Sequence, residues 1–499
     1  MNSVPIVPQL NTGSPAVLIR KAEALAADLL LESEELRSAE EFREFIATGT
    51  DDGPALVVDD LSEISVMDPG DNRFYQDRGR LRAGDGDTIV TCSDPIDGYE
   101  DYCRDQLGLG DPVWLRAKTP EPPRDLHVAE AAWEDRAVRR ELTRRMRQNK
   151  LDCIHPHMGT LPVWQLAALL NRSSHRPIRV IAPTPGVSRW ANDKVAFSSV
   201  VAKLFGSSLI PRSTSAWNLS NAAVRARDIA ENSRVVGLKI PDAAGGGGNV
   251  VIDSRRIIGR SLSEIENTLR DRLRHLHWEG RRQLLISAWE SDVLGSPSAQ
   301  LWLPASPDDP PVVEGLFMQS MMGEIGQFVG NRPAELPHTL AAEIADRCWL
   351  LGRLFQLIGY VGRCSFDLIL LGDSLTNSRI EFIECNGRWG GTSLPMTLMN
   401  RMFGDWSTQP YAAYVALVPG LSKFSFSSLR QELGKELYDA RTGEGRYVLY
   451  NPGRIAHQSG ISVVGLANDW ESAWKVAFEE FPERLQQVVA GIEPVAPTT

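Results

Sequence analysis

Four consecutive glycines stand between two apolar runs in GLKIPDAAGGGGNVVI, which extends from Gly237 to Ile252. Glycine loses more backbone freedom on folding than any other residue, so a run of four glycines needs an explanation. The flanking runs are short and rich in aliphatic and β-branched residues, which predicts two strands. The segment therefore predicts a β-hairpin with a glycine tip.

Two explanations of this glycine tip remain open on these residues alone. Backbone N–H groups that lack neighbouring side chains can approach phosphate oxygens, and Lys239 can supply a positive charge just before the tip. A plain surface turn beside a solvated lysine fits as well. The common helix-based phosphate loops are excluded, because Gly248 is followed by Asn249 and a strand rather than by Lys-Ser/Thr and a helix.

The length of 499 residues exceeds what one compact core holds and predicts two to four domains. From about residue 190, strand and helix patterns alternate regularly around a strand-rich centre. Short strand candidates such as PALVVDD and GDTIVTCS precede this region, and the last ninety residues resemble a small α/β extension. The fold class predicted from these patterns is α+β.

The balance of 53 basic and 64 acidic residues, a net charge of −11, argues against a nucleic-acid partner, although a local basic pocket can still hold a nucleotide. None of the six cysteines forms a Cys-x-x-Cys motif, which fits a reducing compartment. No apolar run reaches the roughly 18 residues that span a bilayer, and the N-terminal residues lack a signal-peptide pattern. We expect a cytoplasmic protein with no membrane partner, and a homodimer if it forms an oligomer.

A second group of polar residues lies in IEFIECNGRWGG. Glu384 and Asn386 are two residues apart near a strand end, so their side chains point to the same side, and Arg388 is next on that side. Asp367 in CSFDLIL joins them if the two strands pair antiparallel. Oxygen ligands of this kind suit Mg²⁺, and the guanidinium can neutralise a phosphoryl group during transfer. The alternative is a solvated face of an edge strand.

With these motifs in order, the sequence resembles the ATP-grasp superfamily of carboxylate–amine ligases. The matching segments run from NDK through LKIPDAAGGGG, LLISAWE and FDLIL to ECNGRWGG, over about residues 176 to 400. Upstream, CSDPIDGYEDYCRDQLGLG and PHMGTLPVWQLAALL resemble the pheganomycin-type peptide ligases, which carry an additional pre-ATP-grasp domain. The resemblance implies a pre-ATP-grasp domain over 1–189, a lid subdomain over 190–290, a catalytic subdomain over 291–410 and a C-terminal extension over 411–499.

The resemblance also implies a role for each matching position. It implies ATP contacts for Lys194 and Lys239, a phosphate lid of Gly245, Gly246, Gly247 and Gly248, an adenine- and ribose-binding hinge of Ala288, Trp289 and Glu290, Mg²⁺ ligation by Asp367, Glu384 and Asn386, and catalysis by Arg388 and Lys239. The hinge reads ISAWESD and departs from the family pattern at the ribose contact, for which Glu290 is our choice.

The implied reaction phosphorylates a carboxylate to an acylphosphate with ATP and Mg²⁺, and an amine of an amino acid or peptide then displaces phosphate. Specialised metabolism, such as antibiotic biosynthesis, is the expected setting. A phosphotransferase that does not ligate and a nucleotide-binding protein without catalysis are the alternatives. His155 and His157 in CIHPHMG have a metal-like spacing but no third ligand nearby, so structural histidines are favoured. Cys385 is expected to point into the core.

Overall fold

Three β-sheets of five, eight and four strands organise the described part of the chain. The computed structural model describes residues 15–37, 42, 44–48, 53–64, 72–119, 127–243, 247–276, 278, 280 and 283–491. Within these residues no helix combines the length and the apolar character needed to cross a membrane.

The first sheet is entirely parallel, with strand order β3-β2-β1-β4-β5. Its strands are β1 (Ala55–Val58), β2 (Thr88–Thr91), β3 (Val113–Arg116), β4 (Cys153–Pro156) and β5 (Arg179–Val180). Two helices precede this sheet in the chain, α1 (Pro15–Glu32) and α2 (Glu34–Arg37). Four more lie between its strands: α3 (Tyr99–Asp101), α4 (Val128–Glu134), α5 (Arg136–Arg147) and α6 (Leu161–Ser174). β1 and β4 are buried along most of their length because α4, α5 and α6 pack on the sheet, as expected for parallel strands.

The four-stranded sheet contains the glycine hairpin, with order β6-β9-β7-β8. Its elements are β6 (Ser213–Ala216), α9 (Leu219–Ala230), β7 (Val235–Lys239), β8 (Asn249–Asp253), α10 (Leu262–Leu273) and β9 (Leu284–Ala288). β7 and β8 pair antiparallel up to Lys239 and Asn249, as the strand–glycine–strand pattern predicts. Ser261 and Glu264 form the capping box expected at the start of α10. We refer to this unit as the lid sheet.

The eight-stranded sheet has the order β14-β13-β10-β11-β12-β15-β17-β16. Its elements are β10 (Val293–Leu303), β11 (Val312–Met322), β12 (Gln327–Pro333), α11 (His338–Leu357), β13 (Gly362–Leu371), β14 (Arg379–Asn386), α12 (Ser393–Phe403), β15 (Tyr411–Leu417), α13 (Phe426–Leu433), β16 (Tyr447–Tyr450), α14 (Arg454–Gln458), β17 (Gly460–Leu466), α15 (Trp470–Lys475) and α16 (Phe481–Ala490). The region after residue 410 therefore continues the same sheet through the pairing of β12 with β15.

At β10, β13 and β14, one face of the eight-stranded sheet is apolar, and the other carries the polar residues of the site. α11 and α8 (Lys194–Phe205) cover the apolar face, and α8 follows α7 (Pro185–Asn192). α1 packs on α11 and α8 although it stands near the start of the chain. Cys385 belongs to this apolar core, as expected from its place between Glu384 and Asn386.

Candidate active site

Two carboxylates and an amide meet where β13 and β14 pair antiparallel. Asp367 lies directly opposite Glu384, and Asn386 lies two residues further along β14. Asn386 Nδ2 donates to Asp367 Oδ2 at 2.8 Å, and the Ser298 hydroxyl on neighbouring β10 donates to Asp367 Oδ1 at 2.6 Å. Burial and the facing Glu384 carboxylate raise the pKa of Asp367 to about 6. The Asp367 and Glu384 carboxylates therefore concentrate negative charge in a largely buried part of the structure.

Lys194, at the start of α8, joins the Glu384 carboxylate to the base of the glycine hairpin. Its ammonium nitrogen lies 2.8 Å from Glu384 Oε2 and donates to the carbonyl oxygen of Ala243 at 2.8 Å. Burial alone would raise the pKa of Glu384, but the cationic groups of Lys194, Arg388 and Lys239 outweigh it and lower that pKa. Glu384 is consequently held in its ionised form.

Lys239 ends β7 and points into the cleft between the lid sheet and the eight-stranded sheet. It is buried, and this burial lowers the pKa of its ammonium group to about 8. Its Nζ atom lies 5.2 Å from the centre of the Trp289 ring, close enough for a cation–π contact. A β-carbon at Gly237 would come within 2.7 Å of the same ring, so glycine at that position lets Trp289 lie against β7.

The hinge and the hairpin tip complete the cleft. The Trp289 backbone N–H donates to the carbonyl oxygen of Val235 at 3.0 Å, which fixes the turn that follows β9. In the tip, Gly248 accepts a backbone hydrogen bond from Ile240 at 2.9 Å, and a β-carbon at Gly248 would lie 2.2 Å from that of Ala243. The predicted tip residues Gly245 and Gly246 lie outside the described residues.

Arg388 is held at the end of β14 by two asparagines. Its guanidinium donates to Asn386 Oδ1 at 2.7 Å and also to Asn192 Oδ1. Asn192 ends α7, directly before Asp193, whose carboxylate caps α8 and thereby starts that helix at Lys194. The junction between α7 and α8 therefore places Asn192 beside Arg388 and Lys194 beside Glu384. The NDK and ECNGR segments, which are distant in the sequence, thus contribute to the same site.

The parallel sheet meets Arg388 at its topological switch point. β2 and β3 lie on one side of the central strand β1, and β4 and β5 lie on its other side. At such a reversal of strand order, a crevice forms outside the carboxyl ends of the two strands that flank it, here β1 and β4. Asp59 follows β1, and His157 follows β4 and donates its backbone N–H to the carbonyl oxygen of Val58 at 3.1 Å. The Trp389 backbone N–H in turn donates to the His157 carbonyl at 3.0 Å.

The side chains at this junction are buried and largely cationic. The guanidinium groups of Arg82 and Arg363 each lie 4.9 Å from a ring centre of Trp389, and Arg82 forms an ion pair with Asp59. Burial, with Arg78, Arg82 and Arg388 nearby, keeps the pKa of His157 well below its usual range. His157 is therefore neutral, and its Nδ1 atom has no hydrogen-bond partner among the described residues.

Of the two histidines of CIHPHMG, His157 is buried at this junction and His155 is half-buried. The His155 ring contacts Trp389 edge-on at 5.4 Å between centres. Within the described ranges, no three His, Cys, Asp or Glu side chains are grouped so that they could hold an ion. The oxygen set of Asp367, Glu384 and Asn386 contains two carboxylates and one amide.

Several site residues carry no role in the sequence-based prediction. Arg82 and Arg363 come from separate regions, and nothing in their local patterns marks them as neighbours of Arg388. Asn192 belongs to the NDK segment, in which a role is predicted only for Lys194. Asp59 is different, since an acidic pair directly after a buried parallel strand is a recognisable feature of ligand sites in α/β sheets.

Asp77 leads to a testable pH effect near this junction. It is buried, its Oδ1 atom has no hydrogen-bond partner in the described part of the chain, and burial with the charges of Asp59 and Glu100 raises its pKa to about 7. Between pH 4 and 7 the unfolded chain loses this proton while the folded chain keeps it, so the contribution of Asp77 to wild-type stability falls as pH rises. We expect Asp77→Asn to be more stable than wild type above pH 7, by up to about 4 kcal/mol, since one pKa unit corresponds to about 1.4 kcal/mol.

Urea unfolding of wild type and Asp77→Asn at pH 4 to 8 measures this effect. The exposed Asp94→Asn variant is the control, and it is expected to follow the wild-type pH dependence. Identical pH dependence in wild type and Asp77→Asn would contradict the assignment.

Residues 76–171 match the family model described as the Pre ATP-grasp domain. No curated protein is similar enough in sequence to give a significant match. Among solved structures, the chain is similar to an ADP complex of N5-carboxyaminoimidazole ribonucleotide synthetase, with a TM-score of 0.51, 10% identity, and coverage of 87% of this chain and 98% of the other.

Two further structures give the same picture. Biotin carboxylase from Campylobacter jejuni has a TM-score of 0.51 at 12% identity and covers 87% of this chain, which spans 95% of that enzyme. N5-carboxyaminoimidazole synthetase from Staphylococcus aureus has a TM-score of 0.50 at 10% identity, with coverage of 88% and 99%. At these identities the likeness concerns the fold: the chain has an ATP-grasp fold preceded by a pre-ATP-grasp domain.

Proposed function

We propose that the protein is an ATP- and Mg²⁺-dependent ligase that activates a carboxylate as an acylphosphate and joins it to an amine, releasing ADP and phosphate. The observation that carries the proposal is the facing pair Asp367–Glu384, with Lys194 and Lys239 on the lid side and Arg388 at the end of the same strand. This arrangement provides anionic ligands for a metal and cations for a polyphosphate in one cleft.

The donor set fits Mg²⁺. Asp367 and Glu384 provide carboxylate oxygens and Asn386 an amide oxygen, and Mg²⁺ prefers such hard oxygen ligands. When bound, the metal would neutralise phosphate charge and help to align the phosphates for transfer. Burying Asp367 beside Glu384 gathers negative charge that a divalent cation would relieve, which supports this assignment.

The cationic residues then have separate tasks. Lys194 and Lys239 bind phosphate oxygens of ATP, while Ala288, Trp289 and Glu290 form the hinge beside the base and ribose. Arg388, fixed by Asn192 and Asn386, stabilises charge on the phosphoryl group as the substrate carboxylate oxygen attacks phosphorus and ADP leaves. The amine then attacks the acyl carbon, phosphate leaves, and the proton lost by the amine passes to solvent or phosphate.

The glycine hairpin would protect the intermediate. An acylphosphate hydrolyses readily, so closing Gly245 to Gly248 over the phosphates excludes water during the amine's attack. The second substrate site is proposed for the crevice outside β1 and β4, because ligands of α/β sheets bind at the topological switch point and Arg388 faces this one.

We further propose an amino acid or peptide as the amine and specialised metabolism as the setting, which makes this a pheganomycin-type peptide ligase. The upstream motifs CSDPIDGYEDYCRDQLGLG and PHMGTLPVWQLAALL support this proposal. We also propose domain boundaries at residues 189, 290 and 410. A cytoplasmic location and a homodimeric state are proposed as well.

A screen for ADP release tests the proposal. Purified protein with Mg²⁺ and ATP is incubated with a panel of carboxylic acids, each with and without amino acid and dipeptide amines. We expect ADP and phosphate in equal amounts with a new amide, found by mass spectrometry, in the productive combinations. ADP with a stable phosphorylated product would instead identify a phosphotransferase, and absence of both ATP binding and ADP release would contradict the proposal.

A further inference from the structure

An irregularity in β14 turns an additional acidic side chain toward the nucleotide cleft. Asp367 pairs with Glu384, but the next residue of β13, Leu368, pairs with Phe382, so Ile383 is an extra residue in β14. Such a bulge reverses the alternation of side chains on one side of the irregularity. Phe382 and Cys385 both lie in the apolar core, although they are three residues apart. Glu381 therefore shares the site face with Glu384.

Glu381 lies on the hinge side of the cleft, away from Arg388. Its carboxylate interacts electrostatically with Lys239 at the end of β7 and with Glu290 in the hinge. Arg379, which is more than half exposed, is its ion-pair partner, with 3.1 Å between Arg379 Nη2 and Glu381 Oε1. Going back along the chain from the end of β14, the proposed phosphoryl-stabilising Arg388 comes first, the proposed metal ligand Glu384 second, and Glu381 beside the hinge third.

One oxygen of this acid lacks a partner. The Glu381 side chain is only 2% exposed, and its Oε2 atom accepts no hydrogen bond from any described residue. A buried carboxylate oxygen without a donor is costly, so such a group in a cleft indicates a donor that arrives with a ligand.

We propose that Glu381 is a nucleotide-selecting residue whose free oxygen accepts a hydrogen bond from a donor on the nucleoside part of the bound triphosphate. This inference rests on the proposed function, because it takes the cleft to hold a nucleotide. Two groups of ATP carry the required donor, the exocyclic amino group of adenine and the ribose hydroxyls. The position of Glu381 beside Glu290 and Lys239 and away from Arg388 matches the nucleoside end of the cleft.

Nucleotide binding tests this without knowledge of the carboxylate or the amine. Dissociation constants of ATP, ITP, 2′-deoxy-ATP and 3′-deoxy-ATP are measured by calorimetry with Mg²⁺ for wild type and Glu381→Met. ITP lacks the amino group, and the deoxynucleotides lack one hydroxyl each. Wild type is expected to bind one of these analogues about 10- to 100-fold more weakly than ATP, and Glu381→Met is expected to bind that analogue and ATP about equally.

Two further variants make the result decisive. Glu381→Gln keeps an acceptor oxygen and a similar volume, so it should retain part of the discrimination even if Glu381→Met folds poorly. Glu335→Met, on an exposed glutamate after β12, should keep the wild-type ratios. Circular dichroism checks the fold of each variant.

The possible failures are distinguishable. If wild type binds none of the four nucleotides, the proposed function itself is wrong. If wild type binds ATP but treats all analogues alike, or if Glu381→Met and Glu381→Gln both keep the full wild-type ratio, only the role of Glu381 is overturned. Loss of discrimination in Glu290→Gln with full retention in the Glu381 variants would assign the contact to Glu290 instead.

Discussion

Replacing Glu384 by glutamine is expected to abolish turnover while leaving the fold intact. The amide keeps the shape of the side chain but removes the charge that balances Lys194, 2.8 Å away, and that would ligate the metal opposite Asp367. Because catalysis of phosphoryl transfer depends on the charged groups around the phosphates, we expect ADP formation to fall by roughly 10³-fold or more. A coupled ADP assay with a productive carboxylate and amine measures the loss.

The control for this substitution is Glu343→Gln on α11, whose carboxylate pairs with Arg347 outside the cleft. It should keep the wild-type rate, and both variants should show the wild-type circular dichroism spectrum. Near-normal ADP formation by a well-folded Glu384→Gln protein would rule out the metal assignment.

Replacing Arg388 by lysine is expected to lower kcat by about 10²- to 10³-fold with little change in ATP affinity. The guanidinium contacts Asn386 and Asn192 with different nitrogens, and the single ammonium of lysine cannot reproduce this fork. The positive charge is retained but is no longer fixed, so stabilisation of the phosphoryl group in transit is lost. Steady-state kinetics and ATP calorimetry separate the two effects.

The Arg441→Lys variant, on an exposed arginine that pairs with Asp439, is the matched control and should lose no more than a few-fold in kcat. A fall in ATP affinity with unchanged kcat would mean that Arg388 binds the ground state and the transition state equally, contrary to its proposed role.

The local parts of the fold were predictable because they follow from short-range patterns. The hairpin around the glycines, the capping box at Ser261 and the burial of Cys385 all depend on residues within a few positions of one another. The ATP-grasp architecture was predictable only from the resemblance, since the order of spaced motifs, and not any one of them, identifies it.

The remaining features depend on register and on distant contacts. Strict alternation along RIEFIECN would place Glu381 on the same face as Cys385, and nothing in these letters marks the extra residue at Ile383. Likewise, the contact between Asn192 and Arg388 joins residues 196 positions apart in the chain. The register of two strands and the packing of distant segments both depend on the tertiary structure, which local sequence patterns do not encode.

The strand order of the large sheet also bears on the timing of folding during synthesis. β17 lies between β15 and β16 and pairs with both, although it leaves the ribosome after them. Until Gly460–Leu466 has emerged, the inner edge of β16 lacks its neighbouring strand and β15 is a sheet edge. The half of the eight-stranded sheet that contains β15, β17 and β16 therefore cannot assemble strand by strand as it is translated and is completed only when this late segment inserts.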